Sequence, residues 1–461
     1  MRSLDQQSAA QEPPASPAPD PLALVRSRAY IVALVLAGLI GLPVAAVAYG
    51  FLALVSWLQR FMFTELPGHL GFATVPAWWS LPLLALSGLL VALCIRYLPG
   101  NCGHSPSEGF QTGGSPLPIE LPGVLLAALA TLSLGAVLGP EAPLIALGGG
   151  LGGLAVRVLK KDAPPTAVAL IATAGSFAAI STLLGSPLLG AFLLMEAAGL
   201  GGAMLAVALL PGLLAAGIGS LMFVGLDSLT GLGTFSLAIP SLPPFTTPTG
   251  AMFLWAIGFG LVSPLLAWGT YALARAIRPA VHAHRVPVTV LLGLVIGALA
   301  IAFSQITGKG QDQVLFSGQS ALPSLITEAG TWSIGALAAL VVCKTLAYAL
   351  SLSAFRGGPV FPSMFIGAAL GVMAANLPGM SLIPAVGMGI GAMCASMLRL
   401  PFTSVLLATV LLTSDGYAVM PVVIVAVVVT HVVGPWLPPL PVLHNPPVTG
   451  HLQPSQPPTK G

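Results

Sequence analysis

Long apolar runs that glycine and proline interrupt dominate this chain. They lie near residues 29 to 59, 79 to 98, 121 to 138, 143 to 158, 166 to 198, 203 to 224, 250 to 278, 286 to 305, 332 to 354, 360 to 376, 382 to 398, 401 to 413 and 417 to 435. Only 6% of the 461 residues are charged, and the mean hydropathy is +0.96. A bilayer core of about 30 Å needs roughly 20 apolar residues per helix, so some runs can cross it and others are too short. The pattern predicts an all-α polytopic membrane protein with broken and re-entrant helices.

Two Gly-Pro breaks inside these runs each open a short apolar helix. The first is Gly139-Pro140, which Glu141 follows, and the second is Gly358-Pro359. Proline suits the first helical turn, and a helix that begins at membrane depth directs its free N–H groups and positive dipole end toward whatever lies there. The two breaks therefore predict a buried binding place for an anion.

The two halves of the chain also repeat. Pro140 in the first half matches Pro359 in the second, and a second pair of prolines, Pro187 and Pro401, matches at nearly the same separation along the chain. Paired, interrupted apolar segments are typical of transporters built from two repeats, with the site where the broken helices meet. We expect two inverted-topology repeats, at residues 26–225 and 226–435. Chance matching of apolar segments is the alternative.

The tails and the basic residues suggest an orientation. Residues 1–25 are rich in Pro, Ala, Gln and Ser and are expected to form a disordered cytoplasmic tail, and residues 436–461 a proline-rich C-terminal tail without a soluble domain. Arg26 and Arg28 precede the first run, and further basic clusters lie at 157–161 and 275–285. The positive-inside rule predicts a cytoplasmic N-terminus in a multi-pass protein of a bacterial-type plasma membrane.

Three motifs resemble those of the CLC family of chloride channels and chloride/proton exchangers, and the resemblance covers nearly all of residues 26–435. Residues 139–143 (GPEAP) are similar to the family's G-(K/R)-E-G-P, and residues 358–362 (GPVFP) to G-x-F-x-P, with the Phe one place late. Residues 99–106 occupy the place of G-S-G-I-P as a loose match. The resemblance implies a homodimer with one anion pathway per subunit and an inverted-repeat helical fold. No cofactor is expected.

By this resemblance Glu141 is the gate. In the family this glutamate places its carboxylate in the outer anion site and must swing away, usually on protonation, before chloride passes. The physics agrees independently, because the N–H groups that would hold a halide also attract a carboxylate, so the acid and the ion compete for one place. An ordinary capping acid is the alternative.

Backbone amides are the predicted anion ligands, because a fully charged site would hold chloride too tightly for throughput. The predicted donors lie at the two helix starts and are Gly139, Ala142, Gly358, Val360 and Phe361. Pro140 and Pro359 mark the helix breaks, and Pro359 lacks the amide that the family generally has at its position.

The loop motif supplies three further candidates for anion binding. Gly103 or His104 falls where the family's chloride-binding serine would lie, and Ser105 follows one or two places late. His104 would replace the hydroxyl by an imidazole N–H and make anion affinity depend on pH. A histidine that caps a helix at the water interface is the alternative.

The proton route departs from the family's pattern. Glu196 falls on the first of two family acids and Ala197 on the second, which is the inner proton carrier in many family exchangers. The family's pore-lining tyrosine has no match in residues 440–443. We expect Glu196 to pair with helix N–H groups or a basic residue, with a role as proton carrier as the alternative. The missing acid favours passive or weakly proton-coupled chloride transport over an antiporter with an atypical proton route.

Other classes of function fit less well. The four cysteines form no CxxC pair, so neither a disulfide nor a metal site is expected. A net charge of +3 is too small to indicate nucleic acid. An intramembrane hydrolase would need a nucleophile near the mid-helix His431, and no Gly-x-Ser-x-Gly accompanies it. The expected partners are chloride or a related small anion, protons, the lipid bilayer and a second copy of the chain; a transporter of another small anion remains an alternative.

Overall fold

Helices account for nearly all of the described chain. The computed structural model describes residues 25–111, 116–199, 202–230, 244–245, 247–412 and 416–440, and in these ranges no strand occurs beyond one isolated bridge between Gly139 and Gly358. The predicted all-α class is confirmed. Most of both predicted tails, at 1–24 and 441–461, lies outside the described residues.

The helices of the first half follow the predicted apolar runs. They are α1 (Arg28–Arg60), α2 (Leu66–His69), α3 (Ser80–Tyr97), α4 (Leu121–Ser133), α5 (Glu141–Leu159), α6 (Pro165–Leu184), α7 (Pro187–Ala197) and α8 (Gly202–Thr230). A π-helical turn, Phe61–Glu65, joins α1 to α2. The predicted boundary between the repeats, at 225/226, falls inside α8, because that helix continues to Thr230.

The second half has a similar order of long and short helices. They are α9 (Gly250–Ala283), α10 (Arg285–Thr307), α11 (Leu322–Thr327), α12 (Ile334–Ala354), α13 (Val360–Ala374), α14 (Leu382–Leu398), α15 (Pro401–Leu411) and α16 (Gly416–Val433). Pro264 and Pro279 lie inside α9 without ending it.

Eight helical stretches in the described ranges are long and apolar enough to cross a membrane. They are Arg28–His69, Ser80–Tyr97, Glu141–Leu159, Pro165–Leu184, Gly250–Ala283, Arg285–Thr307, Ile334–Ala354 and Gly416–Trp436. The apolar helices α4, α7, α13, α14 and α15 are shorter, at 11 to 17 residues. This mixture of full spans and short helices is what the interrupted runs predicted.

The run at 166–198 is one place where the structure adds a break. Gly185 adopts a left-handed conformation with φ of 62°, and Ser186 accepts a hydrogen bond from the Leu189 N–H at 3.3 Å, which caps a new helix. Glycine adopts that conformation without steric cost, so α6 ends there and α7 begins at Pro187.

Two helix pairs, one in each half, pack by direct backbone contact. In α5 and α6, Gly148 lies against Gly175, and Gly152 against Ile171. In α13 and α14, Gly367 lies against Gly389 and Gly371 against Ala385. The contacting positions in α13 and α14 correspond to those in α5 and α6. The sequence offsets are the same as those that relate Pro140 to Pro359 and Pro187 to Pro401. A side chain at any of these glycines would meet an opposing carbonyl, so the glycines allow the close approach that membrane helices use for association.

Candidate functional site

The two Gly-Pro breaks lie back to back. The Gly139 N–H donates to the Gly358 carbonyl at 2.8 Å, and the Gly358 N–H donates to the Gly139 carbonyl at 2.6 Å. Pro140 and Pro359 then lead directly into α5 and α13. The starts of α5 and α13 therefore meet at one buried point, as the paired breaks predicted.

The Glu141 side chain crosses from α5 to the start of α13. Its Oε1 atom accepts a hydrogen bond from the Phe361 N–H at 2.8 Å, and the side chain is fully buried. The amides of Val360 and of Glu141 itself also stabilise the charged carboxylate. Its Oε2 atom has no hydrogen-bond partner. A carboxylate thus lies on the N-terminal amides of α13, where a small anion would also be attracted.

Glycine lies on both sides of this carboxylate. A Cβ atom at Gly139 or at Gly358 would collide with the carboxyl group of Glu141. The missing side chains therefore create the space in which the Glu141 carboxyl group lies.

Two of the predicted anion donors are hydrogen-bonded to each other's residue in the structure. The amides of Gly139 and Gly358 donate to each other's carbonyls, so in this conformation neither is available to an anion. Val360 and Phe361 do lie at the carboxylate. Ala142 follows Glu141 in the first turn of α5 and is partly buried.

Tyr348 is a neighbour of the site that sequence reasoning missed. Its hydroxyl donates to the Pro359 carbonyl at 3.0 Å, its side chain is fully buried, and it interacts electrostatically with Glu141. The available signal was its position in α12, ten residues before Gly358 and inside an apolar run. A buried tyrosine in a membrane helix needs a partner for its hydroxyl, and the break supplies one.

The loop that carries Gly103, His104 and Ser105 is held mainly by arginines of the second half. Ser105 Oγ and Ser107 Oγ are 2.9 Å apart, and Arg278 of α9 donates to Ser107 Oγ at 3.1 Å and forms an ion pair with Glu108 at 2.6 Å. Gly103 has φ of +85°, and the His104 side chain is exposed.

Arg356 links this loop to the second break. Its guanidinium donates to the Asn101 carbonyl at 3.2 and 3.3 Å, and its own N–H donates to Thr131 Oγ1 at 3.3 Å. Because Arg356 lies two residues before Gly358, these bonds fix the loop relative to the start of α13.

Glu196 lies at a different helix start. Oε1 accepts from the Phe402 N–H at 2.9 Å, and Oε2 accepts from the N–H and the hydroxyl of Thr403 at 2.8 and 2.7 Å. Both oxygens are therefore satisfied by the first turn of α15, which is the pairing with helix N–H groups that the sequence favoured for this residue.

Nothing in the described residues resembles a metal centre, since no cluster of three His, Cys, Asp or Glu side chains occurs there. The four cysteines are free thiols, and Cys394 Sγ lies 3.6 Å from Ser363 Oγ on α13.

A membrane chain that is mainly helical in its described residues, and in which the starts of α5 and α13 meet at a buried, amide-bound carboxylate, belongs to the class of polytopic ion-transport proteins. The model of the Voltage gated chloride channel family matches residues 87–434, which is more than half of the chain. The protein is therefore a member of the CLC family, whose members are anion channels and transporters and not enzymes.

Curated relatives agree with this assignment. The "Putative ion-transport protein YfeO" of Salmonella paratyphi A is 31% identical over 367 residues, which cover 76% of this chain and 81% of that protein. The protein of the same name from Salmonella schwarzengrund is 30% identical over 366 residues, with the same two shares. With the eight spans, these bacterial relatives indicate a multi-pass protein of the plasma membrane.

Solved structures show the same fold. A slow cyanobacterial Cl⁻/H⁺ antiporter superimposes with a TM-score of 0.70 at 21% identity, covering 87% of this chain and 94% of that one. A CLC-type fluoride/proton antiporter superimposes with a TM-score of 0.67 at 19% identity, covering 88% and 96%. The CLC-type helical architecture expected from the motifs is confirmed.

Proposed function

We propose that this protein carries chloride or a related small anion past Glu141, and that the Glu141 carboxylate is the gate. One observation carries the proposal: Oε1 accepts the Phe361 N–H at 2.8 Å at the start of α13, so the side chain occupies the amides that would bind the anion. An anion and an ionised Glu141 cannot use these amides together.

The opening of this gate depends on the two oxygens of the Glu141 carboxyl group, which differ in their hydrogen bonds. Oε2 is buried without a hydrogen-bond partner, so the side chain is held at the amides by Oε1. A proton on the carboxyl group removes the charge that the helix start attracts, and the side chain then leaves. The amides of Val360 and Phe361 become free for the anion, and α13 gives it a favourable potential.

The gate is tested by anion flux from proteoliposomes at several pH values. In Glu141→Gln and Glu141→Ala the neutral side chain cannot compete for the amides, so flux should be high and independent of pH. Glu328→Gln removes an exposed acid outside the membrane helices and is the matched control, which should keep the pH dependence of the unaltered protein. A pH dependence that survives in both Glu141 variants would refute the gate.

We further propose that proton coupling is absent or weak. Glu196 would have to release three hydrogen bonds from α15 to carry a proton, and Ala197 cannot carry one. Coupled exchange of chloride and protons is the second candidate, since Glu141 Oε2 has no hydrogen-bond partner and could accept a proton on the pathway itself.

We also propose that the protein is a homodimer with a separate pathway in each subunit, as its family resemblance implies. Exposed apolar side chains on α7 and α15 offer a surface for the contact between subunits. Leu188 of α7 and Phe402 of α15 are 64% and 71% exposed, and a cavity of about 280 Å³ lies between these helices and α16. Mass photometry of the detergent-solubilised protein should show two subunits. A monomer that retains full transport would contradict the dimer.

A further inference from the structure

The two amides of α13 that lie at the Glu141 carboxylate belong to the first two peptide units of that helix. The Val360 N–H shares its peptide unit with the Pro359 carbonyl, and the Phe361 N–H shares its unit with the Val360 carbonyl. A peptide unit is planar, so a hydrogen bond that holds its carbonyl oxygen also fixes the direction of its N–H. The partners of the two carbonyls therefore decide how the two amides face the carboxylate.

A buried hydroxyl group donates to each of these carbonyls. The Tyr348 hydroxyl donates to the Pro359 carbonyl at 3.0 Å. Ser363 Oγ donates to the Val360 carbonyl at 2.6 Å, and both side chains are fully buried. Hydrogen bonds in a chain polarise one another, so a donor at the carbonyl makes the N–H of the same peptide unit a stronger donor. Each hydroxyl thus acts on one of the two amides.

The Tyr348 bond is the shorter of two bonds that the Pro359 carbonyl accepts. The other comes from the Ser363 N–H within α13 and is 3.4 Å long. In α5 the equivalent bond, from the Leu144 N–H to the Pro140 carbonyl, is 3.0 Å long. The first carbonyl of α13 is therefore held more closely by a side chain of α12 than by its own helix.

The first half of the chain has no hydroxyl at the corresponding positions. By the sequence offset that relates the two Gly-Pro breaks, Leu129 corresponds to Tyr348. By the same offset, Leu144 corresponds to Ser363. The hydroxyl groups thus occur in the half whose amides meet the Glu141 carboxylate, and apolar side chains replace them in the half that supplies the carboxylate.

We propose that Tyr348 and Ser363 are positioning residues of the gate, and that each orients and polarises one amide of α13 through the peptide unit whose carbonyl it binds. Both residues strengthen the hold of α13 on the ionised Glu141 side chain and, once that side chain has left, on the anion. This inference rests on the proposed gate, but it assigns the strength of the amides to two residues that the gate itself does not include.

The protonation of Glu141 measures the first effect without any anion transport. The titratable side chains that interact with Glu141 are Tyr348 of α12 and Cys394 of α14. Infrared difference spectra between alkaline and acid pH follow the carboxyl band in detergent, and its loss in Glu141→Gln identifies it. In Tyr348→Phe and in Ser363→Ala the amides hold the carboxylate less firmly. The midpoint of the titration should therefore move to higher pH by roughly 0.3 to 1 unit, where one unit is a tenfold change in proton affinity.

Chloride affinity measures the second effect. In Glu141→Gln no carboxylate competes for the amides, so calorimetric titration of the detergent-solubilised protein with chloride reports the amides alone. Adding Tyr348→Phe or Ser363→Ala to that variant should raise the chloride dissociation constant by roughly twofold to fivefold. The two changes together should raise it more than either does alone.

Matched controls remove the same kinds of hydroxyl elsewhere. Tyr30→Phe removes a buried hydroxyl that donates to the Val207 carbonyl at 3.1 Å. Ser353→Ala removes a buried hydroxyl that donates to the Leu350 carbonyl at 2.7 Å, three residues earlier, as the Ser363 hydroxyl does. Neither carbonyl belongs to the first turn of α13, so both controls should leave the titration and the chloride affinity unchanged.

An unchanged titration midpoint in both Tyr348→Phe and Ser363→Ala would overturn the inference. Equal shifts in the two controls would also overturn it, because they would indicate a general loosening of the protein. The gate fails on a different result, a pH-dependent flux that persists in Glu141→Gln. Shifted midpoints together with such a flux would support the action of the hydroxyls on the amides and remove only the gate. Unchanged midpoints, with flux that loses its pH dependence in Glu141→Gln, would remove only the positioning role.

Discussion

Two acids of the first half, Glu141 and Glu196, both bind amides at helix starts of the second half, but they do so unequally. Glu196 accepts three hydrogen bonds from the first turn of α15 and has both oxygens satisfied. Glu141 accepts one from Phe361 at α13, and its other oxygen is buried with no hydrogen-bond partner. Moving Glu196 would break three hydrogen bonds to α15. Moving Glu141 would break one hydrogen bond to Phe361 and end the attraction of the neighbouring amides. The comparison supports the proposal that Glu141 is the group that moves and that Glu196 is a fixed cap.

The backbone repeats between the halves, and the ionisable side chains do not. When the matched prolines are aligned, Val360 corresponds to Glu141, Val410 to Glu196 and Arg399 to Gly185. The first half thus has acids at two places where the second half has valine, and the second half has an arginine where the first half has glycine.

The largest expected effect concerns Lys344, a third ion held by backbone groups. Its ammonium is fully buried, lies 3.0 to 3.4 Å from the carbonyl oxygens of residues 313 to 316, and is 4.3 Å from the Phe365 ring centre. Like Glu196, it is fully satisfied and should be structural. Lys344→Met would leave these carbonyl oxygens without their hydrogen-bond donor, so we expect a loss of roughly 3–5 kcal/mol in the free energy of unfolding.

Thermal unfolding in detergent measures this loss, with Lys160→Met at an exposed position as the control. A Lys344→Met protein as stable as the control would show that satisfied ions are not fixed supports here, and the comparison of the two acids would lose its basis.

The next effect tests the proposed gate without removing its acid. A methyl group at position 358 would collide first with the Glu141 side chain, which is flexible and can move away. Gly358→Ala should therefore raise anion flux at alkaline pH by about tenfold, equal to about 1.4 kcal/mol of gating free energy. Gly335→Ala, where an added methyl meets nothing, is the control for flux assays in proteoliposomes. Flux at alkaline pH that matches the control would mean that the carboxylate does not block the pathway from this position.

The sequence predicted the backbone of this site better than its polar partners. The Gly-Pro pairs located the meeting point of α5 and α13, because proline and glycine act through local backbone geometry that sequence reports directly. The mutual pairing of Gly139 and Gly358 was missed, since it depends on two segments from opposite halves of the chain meeting in register. Tyr348 was missed for a related reason: its hydroxyl partner, the Pro359 carbonyl, is a backbone group that side-chain motifs do not reveal.

A smaller effect is expected when the fixed acid is neutralised. Glu196→Gln keeps the shape of the side chain but weakens charge-assisted bonds to α15, so the free energy of unfolding should fall by about 1–2 kcal/mol. Thr403→Val removes only the hydroxyl donor and should cost less, about 1 kcal/mol. Chemical or thermal unfolding in detergent measures both, and the pH dependence of flux should be unchanged in each. A shifted pH dependence in Glu196→Gln but not in Thr403→Val would give Glu196 a part in gating.

The smallest expected signal is uphill proton movement driven by a chloride gradient in vesicles held at fixed membrane potential. Glu196 is bound on both oxygens, and Ala197, about 100° further around α7, carries no proton, so the unaltered protein should move few protons. Ala197→Glu places an acid at the family's inner position and should increase proton movement, and Ala197→Gln is the control of equal size. Strong pumping by the unaltered protein that Glu196→Gln abolishes would show that a fully hydrogen-bonded carboxylate does move in the transport cycle. The contrast between the two acids would then describe only the resting state, and Glu196 would be the inner proton carrier.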